Sequence, residues 1–144
     1  MIQGDVSIFL SALGARQGEP RLDQALSFVG GEPEIETFDD SEVEATYLTF
    51  ADAGVEFLLK DGAVNTIFVF ATTTDDQSAY SRSETLVQGV SFSDTPADLI
   101  STLGPPKRST ATYVLYTVEP GYVQFDFAGD ALRLVAIMRH DIGE

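Results

Sequence analysis

Val55-Glu56-Phe57-Leu58-Leu59-Lys60-Asp61-Gly62-Ala63-Val64-Asn65-Thr66-Ile67 lies without a gap over Val123-Gln124-Phe125-Asp126-Phe127-Ala128-Gly129-Asp130-Ala131-Leu132-Arg133-Leu134-Val135, at a constant offset of 68 residues. In each copy two runs of strand-forming residues flank a two-residue turn signal, Asp61-Gly62 in the first and Gly129-Asp130, of the other turn class, in the second. Such a pair between alternating apolar runs predicts a β-hairpin. Upstream of each hairpin an apolar helical stripe ends on glycine: Ala25, Leu26 and Val29 before Gly30, then Leu99, Ile100 and Leu103 before Gly104. The glycines are offset by 74, so the second copy has six fewer residues between helix and hairpin. An internal repeat constrains architecture more than any single motif.

The rest of the chain reads outward from these two copies. Asp5 is the expected N-cap of a first helix whose face is Val6, Phe9, Leu10 and Leu13, closed by Gly14. A turn through Gly18 and Pro20 leads into the Leu22–Val29 stripe, so the first copy opens with a helical hairpin. In the second copy Thr95-Pro96-Ala97-Asp98 offers a cap hydroxyl, proline at the first helical position and a carboxylate three residues on, and Gly104-Pro105-Pro106 forbids continuation. Val43–Phe50 predicts a further strand, and Glu32–Glu44 an acidic, solvated loop and strand start. Val64–Phe70 is apolar on both faces, with Ile67 and Val69 pointing one way and Phe68 and Phe70 the other. Either a second layer covers those phenylalanines or a partner does.

The expected fold is therefore α+β: a tandem repeat of helix plus antiparallel strands, forming a curved sheet with helices packed on one face. A chain of 144 residues suits a single compact domain over 1–144, with a first repeat at 1–72, a connection at 73–83 and a second repeat at 84–144. Halves of about 70 residues are marginal alone and gain by sharing a core. The segment after Arg139 is expected to be loose.

Charge narrows the function. There are 23 acidic against 8 basic residues, a net charge of −15, and two lysines, Lys60 and Lys107. That balance repels phosphate backbones and anionic headgroups, so neither nucleic acid nor a membrane surface is an expected partner, whereas a basic protein is. Salt adaptation is the competing source of such acidity. The chain has no cysteine, which removes disulfides, thiolate catalysis, most structural zinc sites and any lipoprotein anchor. Val6–Ala15 has the apolar look of a short export segment, but Asp5 precedes it and no base does. No apolar run approaches the ~20 residues that span a bilayer, and the expected location is the cytoplasm.

The inventory for catalysis is thin. The single histidine, His140, lies four residues from the end of the sequence, where little can orient it as a base. No glycine-rich phosphate loop and no strained serine elbow is present. Asp39, Asp40, Glu42 and Glu44 have the chemistry of hard-cation ligands without the spacing or glycine of a dedicated loop. No catalytic residue, cofactor or metal site is assigned.

Gly89-Val90-Ser91-Phe92-Ser93-Asp94-Thr95-Pro96-Ala97-Asp98-Leu99-Ile100-Ser101-Thr102-Leu103-Gly104-Pro105-Pro106 resembles the opening of the β-lactamase inhibitory protein-like repeat: glycine, a hydrophobic residue, serine or threonine, a short amphipathic helix, then Leu-Gly-x-Pro. The same repeat occurs in small outer-membrane-assembly lipoproteins. The hairpins at 55–70 and 123–138 resemble the strands that follow it. The resemblance implies a tandem helix-and-sheet fold whose inhibitor members clasp a partner protein with the sheet face and hairpin loops. Asp52-Ala53-Gly54 resembles the loop where an inhibitor member presents an acidic contact. This chain lacks the inhibitors' disulfides and the lipoproteins' lipid-bearing cysteine, so neither β-lactamase inhibition nor envelope assembly follows from the fold.

These readings converge on a non-enzymatic, bacterial, intracellular protein-binding module of inhibitor or immunity type. Tyr47, Phe68, Phe70 and Tyr116 are its candidate contact aromatics, and Asp52, Glu56 and Asp126 its candidate charges. A homodimer through the sheet is a second way to cover Phe68 and Phe70. A small-ligand pocket between sheet and helices is the alternative function, and an enzyme built on carboxylates the remaining one.

Overall fold

Both hairpins close on the turns their sequences demand. In the computed structural model, which describes residues 2–39 and 42–141, Asp61 and Gly62 take φ of 50° and 85°, while in the second turn Gly129 alone is positive, at 63°. These are the backbone signatures of the two mirror-image turns that match strand twist. The first hairpin joins β3 (Val55–Lys60) to β4 (Ala63–Phe70), and the second joins β7 (Gly121–Ala128) to β8 (Ala131–Met138). Every residue pair of β3–β4 has its counterpart 68 residues on in β7–β8: Phe57 faces Ile67 and Phe125 faces Val135, Leu59 faces Val64 and Phe127 faces Leu132. The bulge repeats too, after Leu58 in one and after Asp126 in the other. It leaves Asn65 and Arg133 without a partner in their own hairpins, though their carbonyls accept from the Arg139 and Ala71 amides across the β4–β8 seam, and it adds local twist.

The remaining elements are α1 (Val6–Ala12), α2 (Pro20–Val29), β1 (Glu34–Asp39), β2 (Glu44–Phe50), α3 (Pro96–Leu103), β5 (Arg108–Ser109) and β6 (Tyr113–Val118). The fold is α+β, with an eight-stranded sheet in the order β1-β2-β3-β4-β8-β7-β6-β5, antiparallel throughout. β4 and β8 meet at its centre. Thus β1 and β5 are its two edges.

Side chains alternate across a strand, and burial follows that alternation. One face carries Leu48, Phe50, Val55, Phe57, Val69, Val123, Phe125 and Val135 into the main core, together with Val6, Phe9, Leu22, Ala25 and Leu99 from the helices. Phe9 sits edge-on to Phe28, Phe57 and Tyr80. Burying a phenylalanine of this kind contributes roughly 1.5–3 kcal/mol. A second cluster of Leu115, Ala136 and Met138, with Phe68, Tyr113 and Tyr122 against it, draws on strand residues alone.

α3 starts as the sequence predicts: the Thr95 hydroxyl accepts from Asp98 N–H and the Asp98 carboxylate from Thr95 N–H. α1 does not. Asp5 makes no cap hydrogen bond; its Oδ2 accepts instead from the Tyr80 and Thr85 hydroxyls, both at 2.8 Å. Residues 71–95, which include the expected connection at 73–83, contain neither helix nor strand. They are nonetheless built in. Tyr80, Leu86, Val87 and Val90 are buried, and the Tyr80 and Ser78 amides bond to the Phe70 and Ala51 carbonyls. Gly54 permits this passage, because a Cβ there would lie 2.5 Å from the Ser78 carbonyl oxygen.

Both edge strands lie outside the strand ranges read from the sequence. β1 falls in the acidic stretch read as loop and strand start; all six of its residues are exposed, so it carries no burial pattern. β5, at the other edge, is two residues long. The chain past Arg139 is anchored rather than loose as far as Asp141, whose carboxylate is 2% exposed and takes a fork of bonds from Arg108 at 2.7 and 3.1 Å and one from Lys107 at 2.9 Å. Asp40, one of the four acids considered for a cation, lies outside the described residues.

Candidate functional site

The face opposite the main core is assembled from cross-strand rows. One row runs Tyr47, Leu58, Thr66, Met138, Tyr122, Thr117 across β2, β3, β4, β8, β7 and β6. The next runs Thr49, Glu56, Phe68, Ala136, Gln124, Leu115 over the same strands. A third joins Phe70, Leu134, Asp126 and Tyr113. Five of the seven residues singled out from sequence, Tyr47, Glu56, Phe68, Phe70 and Asp126, thus share this face, each partly exposed.

Its middle is apolar and its polar groups are oriented by neighbours. The Thr49 hydroxyl donates to Glu56 Oε2 at 2.8 Å, and Gln124 Nε2 to Asp126 Oδ1 at 2.9 Å. Arg133, left outside the β7–β8 ladder by the bulge, approaches Asp126 at 3.8 Å while itself mostly exposed, a contact worth little in water. Towards the β5 edge Arg108 Nε donates to the Tyr113 hydroxyl at 2.7 Å. Asp141 first, then Tyr113, push the guanidinium pKa up. The result is a platform of half-buried aromatics with carboxylates held at fixed positions among them.

The other two sequence candidates are elsewhere. Tyr116 points into the main core, 6% exposed, against the Phe125 ring, with its hydroxyl donating to the Gly104 carbonyl at 2.9 Å. Burial raises its pKa. Its neighbour Leu115 takes the second face instead, so the contact role expected of Tyr116 is corrected by strand phase. Asp52 is exposed in the β2–β3 turn, beside a shallow groove it shares with Gly30, Gly31 and Glu32. Reasoning from sequence missed Tyr113 and Tyr122, both on the second face. The alternation of Tyr122 and Gln124 against Val123 and Phe125 is the signal that finds Tyr122.

A separate cleft of about 890 Å³ opens between α1, the end of α3 and the β6–β7 turn, lined by Ile2, Leu10, Leu103, Tyr116, Val118 and Pro120 among others. Among the described residues no three His, Asp or Glu side chains are grouped to hold a metal ion, and no helix is long and apolar enough to cross a membrane. No protein-family model, curated protein or solved structure matches the chain.

Proposed function

We propose that this chain is a non-enzymatic protein-binding module, an intracellular inhibitor or immunity-type protein of the β-lactamase inhibitory protein-like kind, whose second sheet face receives a basic partner protein. In this reading the two copies form a tandem repeat with the helices packed on one face, leaving the other to the partner. Support for the repeat is the pair-by-pair and bulge-by-bulge agreement of the two central hairpins at an offset of 68. The observation that carries the function is the gathering of Tyr47, Glu56, Phe68, Phe70 and Asp126 on one face whose cluster draws on no helix. Rigid aromatics supply contact area at low entropic cost, and a net charge of −15 steers a basic surface towards them.

Affinity capture from the source cell's lysate tests this with two baits. Wild-type chain should retain a basic protein near one-to-one at low salt and lose it as salt rises. The Glu56→Lys/Asp126→Lys double variant should retain none at either. Equal retention by both baits, or no retained protein, contradicts the reading.

The apolar cleft favours a second reading, a site for a small apolar ligand. Filling it by Ser11→Trp should leave protein capture unchanged and abolish any ligand-induced rise in melting temperature.

A further inference from the structure

The first edge of the sheet differs from the rest of the surface in three respects at once. Every residue of β1 is exposed. Among the described residues the large apolar side chains left in solvent are Ile35, Phe38 and Val43, at 63, 55 and 38%, all on the β1–β2 hairpin. From Glu32 to Glu44 the sequence contains acids and no Lys or Arg.

Backbone phase identifies which groups of β1 are free. Glu44 turns towards β3, since its N–H donates to Asp61 Oδ1 and its carbonyl accepts from the Asp61 amide. Alternation then directs Ala45, Tyr47 and Thr49 to β1, where their partners are Phe38, Glu36 and Glu34. Ile35, Thr37 and Asp39 therefore aim N–H and C=O outward, and outside the β1–β2 ladder no backbone bond joins them to another described residue. This is a template for a ninth strand. Within β1 there is no lysine, proline or bulge; Pro33 lies just before it, and the charges it carries, Glu34, Glu36 and Asp39, are all acidic.

We propose that the outer edge of β1 binds an extended, basic segment of a partner protein by strand addition, with main-chain bonds at Ile35, Thr37 and Asp39 and charge pairing to Glu34, Glu36 and Asp39. Charge decides the occupant. A second copy of this chain would lay one acidic strand against another, and like charges across a ladder are destabilising. A strand alternating Lys or Arg with β-branched residues reverses that sign. The edge contact does not depend on the second face being a docking surface.

The probe is a ten-residue peptide alternating Lys and Arg with Val and Thr, titrated into the full chain labelled with ¹⁵N. The control is a peptide of equal charge interrupted by prolines. Strand addition predicts shifted, slowly exchanging amides at Ile35, Thr37 and Asp39, and no such response to the control peptide. Thr37→Pro removes an outward N–H without touching the β1–β2 ladder, as prolines at sheet edges do, and should weaken binding about tenfold. If that variant disturbs the fold, the amide pattern of the wild type and the control peptide still decide. Equal binding of both peptides overturns the proposal in favour of charge alone. Shifts confined to Leu58, Ala136 and their neighbours overturn it in favour of the face. Dimerisation with protected β1 amides and no peptide binding overturns it in favour of a second copy.

Discussion

The two edges of this sheet are built on the same plan and finished in opposite ways. Glu34 pairs with Thr49, and Arg108 with Leu115. Each strand starts four residues after the glycine that ends its helix, Gly30 or Gly104, whose φ values are 77° and 88°. From there they diverge. Glu34 and Thr49 are fifteen positions apart but Arg108 and Leu115 only seven, so the first hairpin is longer by eight and projects an acidic, apolar-tipped edge. The β5 edge stops after two residues, follows Pro105-Pro106, and carries Arg108 and Lys107 pinned by Asp141. Short length and basic charge are standard protections of a sheet edge; proline precedes both strands, as Pro33 before β1 and Pro105-Pro106 before β5, so length and the sign of the charge set the edges apart. One edge is sealed and the other is left able to pair.

The largest expected effect tests whether the two halves share one core. Phe57 and Phe125 stand 68 residues apart and both are fully buried, so each Phe→Ala change should cost about 3–5 kcal/mol. Denaturant unfolding followed at amides in both halves should give one coincident transition for each variant. Separate transitions would show halves that fold independently and break the comparison.

Tyr80 tests how the connecting stretch is built in. Burial first, then the bond to Asp5, raises its pKa. An unfolded tyrosine ionises near 10, whereas the folded one keeps its proton to higher pH. Its contribution is therefore complete below about pH 10 and is lost above it, by at most ~1.4 kcal/mol per pH unit. Tyr80→Phe should abolish that extra alkaline slope in urea titrations between pH 9 and 11, and an unchanged slope would contradict the burial of this hydroxyl.

Smaller effects separate the helix starts and the sealed edge. Thr95→Ala removes the α3 cap and should cost about 1 kcal/mol, visible as a lower melting temperature, while Asp5→Ala should alter Tyr80 fluorescence instead. Asp141→Ala should accelerate amide exchange at Lys107 and Ser109 with a smaller drop in melting temperature than Thr95→Ala. Unchanged exchange there would mean that the β5 edge is protected by its length and prolines alone.

What was legible in the sequence follows the same division. The central hairpins were readable because Asp61-Gly62 and Gly129 fix the turn chemistry locally, and because Val55, Phe57, Val123 and Phe125 alternate with polar neighbours. β1 was not, because an edge strand exposed along its whole length shows no periodic burial to a reader of hydrophobicity. In Val114-Leu115-Tyr116 both faces are buried, so the phase of β6 is invisible, and Tyr116 was assigned to the wrong side for that reason. Asp5 has the composition of a cap and was claimed by two hydroxyls 75 and 80 residues away, a long-range competition that no local pattern reveals. The five residues of the second face were nominated as types; only strand register brought them together.

Zero-length carboxyl-to-amine coupling of the captured complex, read by mass spectrometry, tests the central claim most directly. A basic partner seated on the second face and the open edge predicts that its lysines couple to Glu56, Asp126, Glu34 and Glu36, and not to Asp23 or Asp98 on the helices. Coupling concentrated on Asp23 and Asp98, with those four carboxylates unmodified by the partner, would contradict the account.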